Sequence, residues 1–558
     1  MKNQTVAFGV TSLILLGLVA IASAGEPASQ PTSTDWPQWR GPNRDGVSPN
    51  SPKLLDKWPA DGPTLAWSYP VFHSTPMDGG MGSPVVGEGK VVTFFNFHRR
   101  VPLDSDGVQV ITDEVLKKWM WLPDLPADLA KKFEDAWQSK QLHPSRGAKG
   151  AAEGKAFAAT LDPKDAEKYG AYLEERFKGG PGCEFSWAEL TYLASHKNDK
   201  FKMVDDFNAM AYKGVEMHHR GGAPEAFEAA LKEVFKDSWL DATICLDAAT
   251  GKVIWKKEMP GASPKFYGDF CAAATPAISG GKCYVMTTTG LFCYSLADGS
   301  VVWQAKAGFA NSGPMVLNGA VYLVVPGGPA AFNAETGQLL WKQPKTDASG
   351  NNSLMPWASG GKNYIICASG GSGGNLFCLN ASSGEIVWKA PEEGRGSLGG
   401  DGVYTTPVIV DDNVYVYWGK LRQFKITPQA AEPAGKWELG GGDRDGSPIV
   451  YQGYAHVVQH GFRKCLDAKT GEVKWAKPND PLQNSLSSPI LADGKIIATQ
   501  VGGHEGGGSV VLYLASPDKY QQAGLFNPHV VECSSPAISA GKLYLRCEDS
   551  IRCYDLTK

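Results

Sequence analysis

One phrase recurs eight times along this chain. A unit of that size cannot bury a core alone, so its copies must stack on one another or close into a ring. The phrases are SPVVGEGKVV at Pro84, TPAISGGKCY at Pro276, GPMVLNGAVY at Pro314, MPWASGGKNY at Pro356, TPVIVDDNVY at Pro407, SPIVYQGYAH at Pro448, SPILADGKII at Pro489 and SPAISAGKLY at Pro536. Each reads as a short apolar strand, a Gly or Asp turn and a second alternating strand, the pattern of a hairpin. Six of the seven spacings lie between 38 and 51 residues, and the first is 192.

A second phrase follows within the unit. LDAATGKVIW ends at Trp255, LADGSVVW at Trp303, NAETGQLLW at Trp341, LNASSGEIVW at Trp388 and LDAKTGEVKW at Trp475, with a degenerate copy at Trp437. A strand enters a tight Asx/Gly turn and leaves as a strand ending in tryptophan. Each unit therefore holds four antiparallel strands, A to D, which at a period near 40 describes a propeller blade. The seventh unit, VVLYLASPDKYQQAGLFN, has no tryptophan. The last unit stops after strand C, at Cys553-Tyr554-Asp555-Leu556, while Thr64–Tyr69 near the N-terminus is an orphan strand D carrying Trp67. Pairing the two closes a ring and removes exposed sheet edges; an open solenoid has no use for the orphan. The expectation is an all-β, eight-bladed β-propeller of four-stranded antiparallel blades over 64–558. The blade tryptophans Trp67, Trp255, Trp303, Trp341, Trp388, Trp437 and Trp475 are assigned to packing between blades.

The long first spacing is an insertion, roughly 98–240, between strand B ending near Phe97 and strand C at Ala242–Cys245. Its periodicity is helical: Leu129, Phe133 and Trp137, then Phe227, Leu231 and Phe235, fall at i, i+4, i+8. Pro224 stands at a helix start, and Ser186-Trp187-Ala188-Glu189 is a capping-box sequence. Four or five helices are expected. Because strands alternate in direction, B–C and D–A loops leave one face of the ring, and the insertion caps that face. The opposite face is expected to carry only short turns. Long loops on a rigid scaffold carry function, so the site is sought on the capped face.

Composition narrows the class. The chain is 42% hydrophobic and 20% charged with net charge −4. That suits a globular fold and offers no basic excess for nucleic acid. Residues 1–24 read as a signal peptide, with Lys2, an apolar run through Leu13–Val19 and Ala22-Ser23-Ala24. Residues 25–63 read as an extended N-terminal segment. Without a lipid-attachment cysteine or a later spanning segment, the expected protein is periplasmic or secreted and monomeric. Five of the 11 cysteines (Cys245, Cys293, Cys378, Cys465, Cys553) share one register, which suits a small apolar core residue.

The tryptophan phrases resemble those of quinoprotein alcohol dehydrogenases, and the eight-unit arrangement resembles the wider PQQ-like propeller superfamily. That superfamily includes the non-enzymatic propeller of the outer-membrane β-barrel assembly machinery. Asp35-Trp36-Pro37-Gln38-Trp39-Arg40-Gly41-Pro42-Asn43-Arg44-Asp45-Gly46 is similar to the opening of many secreted PQQ-like repeat proteins. The enzymatic branch would imply PQQ with calcium and a vicinal Cys-Cys disulfide, yet this chain has no adjacent cysteines. No cofactor is favoured and no metal is assigned.

Candidate ligand-binding residues come from the loops of the capped face. Asp443, Arg444 and Asp445 put two carboxylates around an arginine for a cation or polar ligand. His504 and Glu505, among glycines, offer a general base or a metal ligand. Arg395 could pair with a carboxylate, Trp357 could stack on a planar ligand or simply pack, and Asp269 is a further carboxylate. Met217-His218-His219 gives a weak metal motif, because adjacent side chains diverge. The expected role is a binding or assembly scaffold for an envelope protein or a small polar ligand. A quinoprotein-type dehydrogenase and a glycan-binding or glycan-modifying propeller are the alternatives.

Overall fold

The computed structural model describes residues 34–71, 79–138, 148–179, 185–215, 225–264, 274–346, 348, 353–369, 375–391, 405–417, 421–437, 446–459, 462–477, 483–484, 487–501, 508–531 and 533–558. Eight sheets form, one per proline phrase. In blade 1 the strands are Val85–Gly87, Lys90–Pro102, Phe235–Asp247 and Val253–Pro260, each antiparallel to the next. The A strand of blade 1 touches those of blades 2 and 8, so the A strands line the axis of a closed ring. Closure uses the orphan strand. Thr64–Pro70 is strand D of blade 8, with Thr64 opposite Asp555, Trp67 opposite Cys553 and Pro70 opposite Ser550.

The hydrophobic core is divided among the interfaces between blades. Val92, Phe94 and Trp255 of blade 1 pack with Cys283, Val285 and Tyr294 of blade 2, and equivalent clusters follow around the ring. Each tryptophan reaches into the next blade. Trp303 Nε1 donates to Ala334 O at 2.9 Å, Trp341 Nε1 to Ala381 O at 2.9 Å, and Trp67 Nε1 to Ala248 O at 3.1 Å. A strand-B tyrosine shares the acceptor: Tyr284, Tyr322 and Tyr544 hydroxyls donate to those same three carbonyls. The ring also lies on the glycine of the next Asx turn. A Cβ at Gly337 would stand 2.5 Å from Trp303, and one at Gly384 would stand 2.5 Å from Trp341. Both glycines have φ near +70°, so the turn excludes a side chain for two reasons. The register cysteines sit directly opposite the tryptophans, as in Cys245 with Trp255 and Cys465 with Trp475. Those five cysteines are free thiols, and burial pushes them up to about 12.

A register shift falls just before the tryptophan in six D strands, those of Trp67, Trp255, Trp303, Trp341, Trp388 and Trp475. The extra residue of this bulge turns consecutive aliphatic side chains outward, and Val301 with Val302, and Leu339 with Leu340, are exposed. The Val-Val-Trp and Leu-Leu-Trp runs are therefore not simple two-sided strands.

Blade 7 departs most from the repeat. Its sheet has six strands, adding Gln483–Asn484 and the N-terminal pair Val47–Ser48, which runs parallel to strand A. Gly524, opposite Leu512, occupies the tryptophan position. Trp58 of the N-terminal segment supplies the ring instead. Its amide donates to Ala523 O, its indole lies where a Gly524 side chain would project (2.5 Å from a Cβ there), and it meets Phe526 edge-on at 5.4 Å. Phe526 in turn presses on Gly62, which precedes the closing strand.

Among the described residues seven helices lie between strands B and C of blade 1, rather than four or five: Asp113–Lys118, Ala127–Gln138, Ala148–Ala158, Pro163–Lys178, Trp187–Ser195, Val204–Gly214 and Glu225–Val234. Short helices broken by Asp162-Pro163 and Ser186 made the periodic stretches look fewer. The Ser186/Glu189 capping box is present in both directions. Strand pairing runs further than the apolar pattern implies: Pro102 still faces Phe235, so 98–102 and 235–240 form the strand arms that carry the helices. The helices have two cores, one around Phe207 and Phe227 and one around Phe133 and Leu173, which meet where Trp121 stacks on Trp187 at 4.4 Å. Among the described residues no helix is long and apolar enough to cross a membrane.

Candidate functional site

The axis of the ring is built from the residues that precede each strand-A proline. A backbone N–H in one blade donates to the hydroxyl of the next. Thr406 donates to Ser447 Oγ (2.9 Å), Ser447 to Ser488 Oγ (3.1 Å), Ser488 to Ser535 Oγ (3.0 Å), Ser535 to Ser83 Oγ (2.9 Å) and Ser83 to Thr275 Oγ1 (3.1 Å). This girdle runs from blade 5 through blades 8 and 1 to blade 2. It breaks at blades 3 and 4, where Gly313 and Met355 stand in the hydroxyl position. A Cβ at Gly313 would come 2.9 Å from Thr275 O, so that blade has no room for one.

The N-terminal segment crosses the ring, with contacts on blades 1, 2, 3, 6 and 7. Trp36 exchanges both backbone hydrogen bonds with Val86 of blade 1, and Pro37 O accepts from Ile278 N of blade 2. Gly46 O accepts from Leu491 N of blade 7, where Val47–Ser48 joins the sheet. Leu54 N then donates to Asp493 Oδ2 in an A–B turn, and Leu55 N donates to Leu556 O. The face opposite the helices is thus not bare turns, because this segment crosses it.

Between these anchors the chain turns at two arginines in the left-handed region, Arg40 at φ +62° and Arg44 at φ +60°. Both are buried, at 1% and 0% exposure. Arg40 is saturated by carbonyls: Nη1 donates to Ser447 O (3.0 Å), Nη2 to Pro448 O (2.7 Å) and Asp45 O (2.7 Å), and Nε to Arg44 O (3.1 Å). Arg44 Nη1 donates to Pro314 O (3.3 Å) and Gln38 Oε1 (3.4 Å). Arg44 Nε and Nη2 are buried with no hydrogen-bond acceptor among the described residues. Burial pulls Arg44 down to about 9, with the Arg40 charge adding to it, and pulls Arg40 down to about 10 against the attraction of Asp45. Burial also raises the Asp45 carboxyl.

Of the loop candidates, only Trp357 falls among the described residues. It is buried between blades 4 and 5, its Nε1 donates to Asp412 Oδ1 at 2.8 Å, and it packs on Tyr364 at 5.0 Å. That is a packing position. Asp443, Arg444, Asp445, His504, Glu505, Arg395, Asp269, the Met217-His218-His219 motif and residues 1–24, read as a signal peptide, lie outside the described residues. Arg40 and Arg44 were visible only as part of the opening motif; no loop or periodicity argument singles them out. Among the described residues no three His, Cys, Asp or Glu side chains converge to hold a metal.

Comparison with known proteins bears on the fold. Residues 240–477 match the family model described as outer membrane protein assembly factor BamB, in its PQQ_2 form. The chain is an eight-bladed β-propeller, and its residues 240–477, under half of it, resemble the PQQ-like propellers. Among curated relatives, the tetrathionate hydrolase of Acidithiobacillus ferrooxidans is 28% identical over 195 residues, 31% of this chain and 36% of that protein. The outer membrane protein assembly factor BamB of Legionella pneumophila is 28% identical over 204 residues, 35% of this chain and 47% of that protein. The chain therefore spans less than half the length of either relative. The crystal structure of BamB from Moraxella catarrhalis aligns at 15% identity and TM-score 0.41, over 55% of this chain and 86% of that one.

Proposed function

We propose that this protein is a binding or assembly scaffold of the cell envelope, working as a monomer through the face that carries the helical insertion. The observation that supports this most is the N-terminal segment seated inside the ring. It crosses the face opposite the helices and leaves the helix-bearing face as the one for a partner. The match of strands C and D of blade 1 through blade 6 to the BamB family model points the same way. A partner on that face would meet the helices and the B–C and D–A loops, where Asp443, Arg444, Asp445, His504, Glu505, Arg395 and Asp269 are the proposed polar contacts.

The test is quantitative co-purification from the source cells of the tagged chain and of a variant with 98–240 replaced by a short turn. The reading expects envelope β-barrel proteins to be enriched with the full chain and lost with the variant. Saturable binding of PQQ and calcium with dye-linked alcohol oxidation would overturn it, as would turnover of tetrathionate. Carbohydrate binding that is lost with 98–240 would favour a glycan-directed propeller instead.

A further inference from the structure

The centre of the ring carries a charge problem. Arg40 and Arg44 are both fully buried at the tip of the N-terminal segment, and the carboxylate within that tip is Asp45. Asp45 Oδ1 already accepts from Val47 N at 2.9 Å. Two guanidinium charges thus face one carboxylate that burial is pushing toward neutrality. An uncompensated buried charge costs several kcal/mol, on the order of the whole stability margin of a domain. Arg40 offsets its cost with four hydrogen bonds to carbonyl groups. Arg44 has only two, both long and both from Nη1.

The shape of the deficit is specific. Nε and Nη2 form one edge of the guanidinium plane, with two parallel N–H bonds spaced to match two oxygens of a carboxylate, sulfate or phosphate. Both atoms of that edge are buried, and neither has an acceptor among the described residues. The left-handed backbone at Arg40 and Arg44 is strained, and here it is held in place by anchors on blades 1, 2, 6 and 7. The edge therefore cannot relax simply by swinging the arginine out. It lies beside blade 3, where Nη1 meets Pro314 O and the hydroxyl girdle is interrupted. At the end of that interruption, Thr406 Oγ1 is a second buried polar atom without a partner among the described residues.

We propose that the Nε–Nη2 edge of Arg44 is an oxyanion site at the centre of the propeller, holding one carboxylate, sulfate or phosphate group in a bidentate pair. The oxyanion is either a free small ion or the acidic group of a larger ligand entering from the helix-bearing face. A water molecule could accept from both N–H groups of the edge but brings no charge, so only an anion also offsets the buried guanidinium. The site goes beyond the scaffold reading and stands whether or not an envelope partner binds.

The experiment uses the full chain, purified without oxyanion buffers. Ion chromatography after denaturation detects a retained ion, and calorimetric titration with sulfate, phosphate and acetate detects an exchangeable one. Circular dichroism and the melting transition check folding of Arg44→Lys, which keeps the charge and loses the fork; Arg552→Lys, at a surface ion pair with Asp549, is the control. The expected result is one equivalent of oxyanion, retained or bound saturably, in wild type and Arg552→Lys. In folded Arg44→Lys the affinity should fall about tenfold or more. The order of the three probes separates a carboxylate ligand from a tetrahedral one. Wild-type protein that neither releases nor binds any of them would overturn the site, and so would Arg44→Lys binding as tightly as wild type.

Discussion

Trp58 gives the sharpest stability prediction, because it performs from outside its blade what the other interface tryptophans do from within theirs. Its indole is 3% exposed and sits against Phe526 where Gly524 leaves the tryptophan position of blade 7 without a side chain. Burying an indole removes roughly 150–250 Å² from water, which at about 25 cal/mol per Å² is about 4–6 kcal/mol. Measured truncations of buried aromatics run about 3–5 kcal/mol, so Trp58→Ala should cost about that much. Gly524→Trp alone should also destabilise, since a Cβ there is already 2.5 Å from the Trp58 ring. Gly524 is not among the glycines at positive φ, so its backbone admits a side chain. The double variant Trp58→Ala, Gly524→Trp should therefore recover about 1–3 kcal/mol relative to the sum of the single changes. Urea denaturation of the four proteins at one pH measures this. The reasoning is refuted if Trp58→Ala costs under about 1 kcal/mol, or if the double variant is no more stable than the two single losses added.

Four further outcomes follow from the same structure. Trp58 Nε1 is buried without an acceptor among the described residues while Trp341 Nε1 donates to Ala381 O, so Trp58→Phe should cost less than Trp341→Phe by about 1 kcal/mol, read as a midpoint difference in urea. His456 is buried beside Cys465 and Trp475, and burial pulls its ring down to about 4. A folded value below the unfolded 6.5 means its contribution is whole above pH 6.5 and is lost as pH falls toward 4; His456→Gln should flatten the stability curve in that window. Ser186→Ala removes the hydroxyl that accepts from Glu189 N in a capping box and keeps the backbone N–H that donates to Glu189 Oε2; it should lower helix stability by about 1 kcal/mol, seen as faster amide exchange in Trp187–Ser195 with the blades unchanged. A thiol reagent should modify Cys245, Cys293, Cys378, Cys465 and Cys553 only on unfolding, since burial holds them protonated.

The ring was legible because its signal is local and repeated. The proline phrase, the Asx turn and the tryptophan lie within one unit, and the missing last strand pointed to Thr64–Tyr69 as its replacement. The features that sequence reasoning missed depend on contacts across the chain. Arg40 meets Ser447 and Pro448 more than 400 positions away, and arginine is ordinarily exposed, so nothing local marks it as a buried plug. The same holds for Trp58, whose role shows only once Gly524 is seen to lack a ring. The hydroxyl girdle was written in the sequence as Ser or Thr before six of the eight prolines, but only the closed ring makes those hydroxyls neighbours. The number of helices was underestimated because caps and prolines divide an amphipathic stretch without breaking its periodicity.

Partners should meet this propeller on its helix-bearing face, because its own N-terminal segment crosses the other. Photo-crosslinking from single positions in the source cells tests it most directly. Leu103, 65% exposed at the base of the helical insertion, samples one face, and Thr250, in an exposed C–D turn, samples the other. The account predicts an adduct with an envelope β-barrel protein from position 103 and none from position 250. An adduct from position 250 with none from position 103, or no adduct from either, would contradict it.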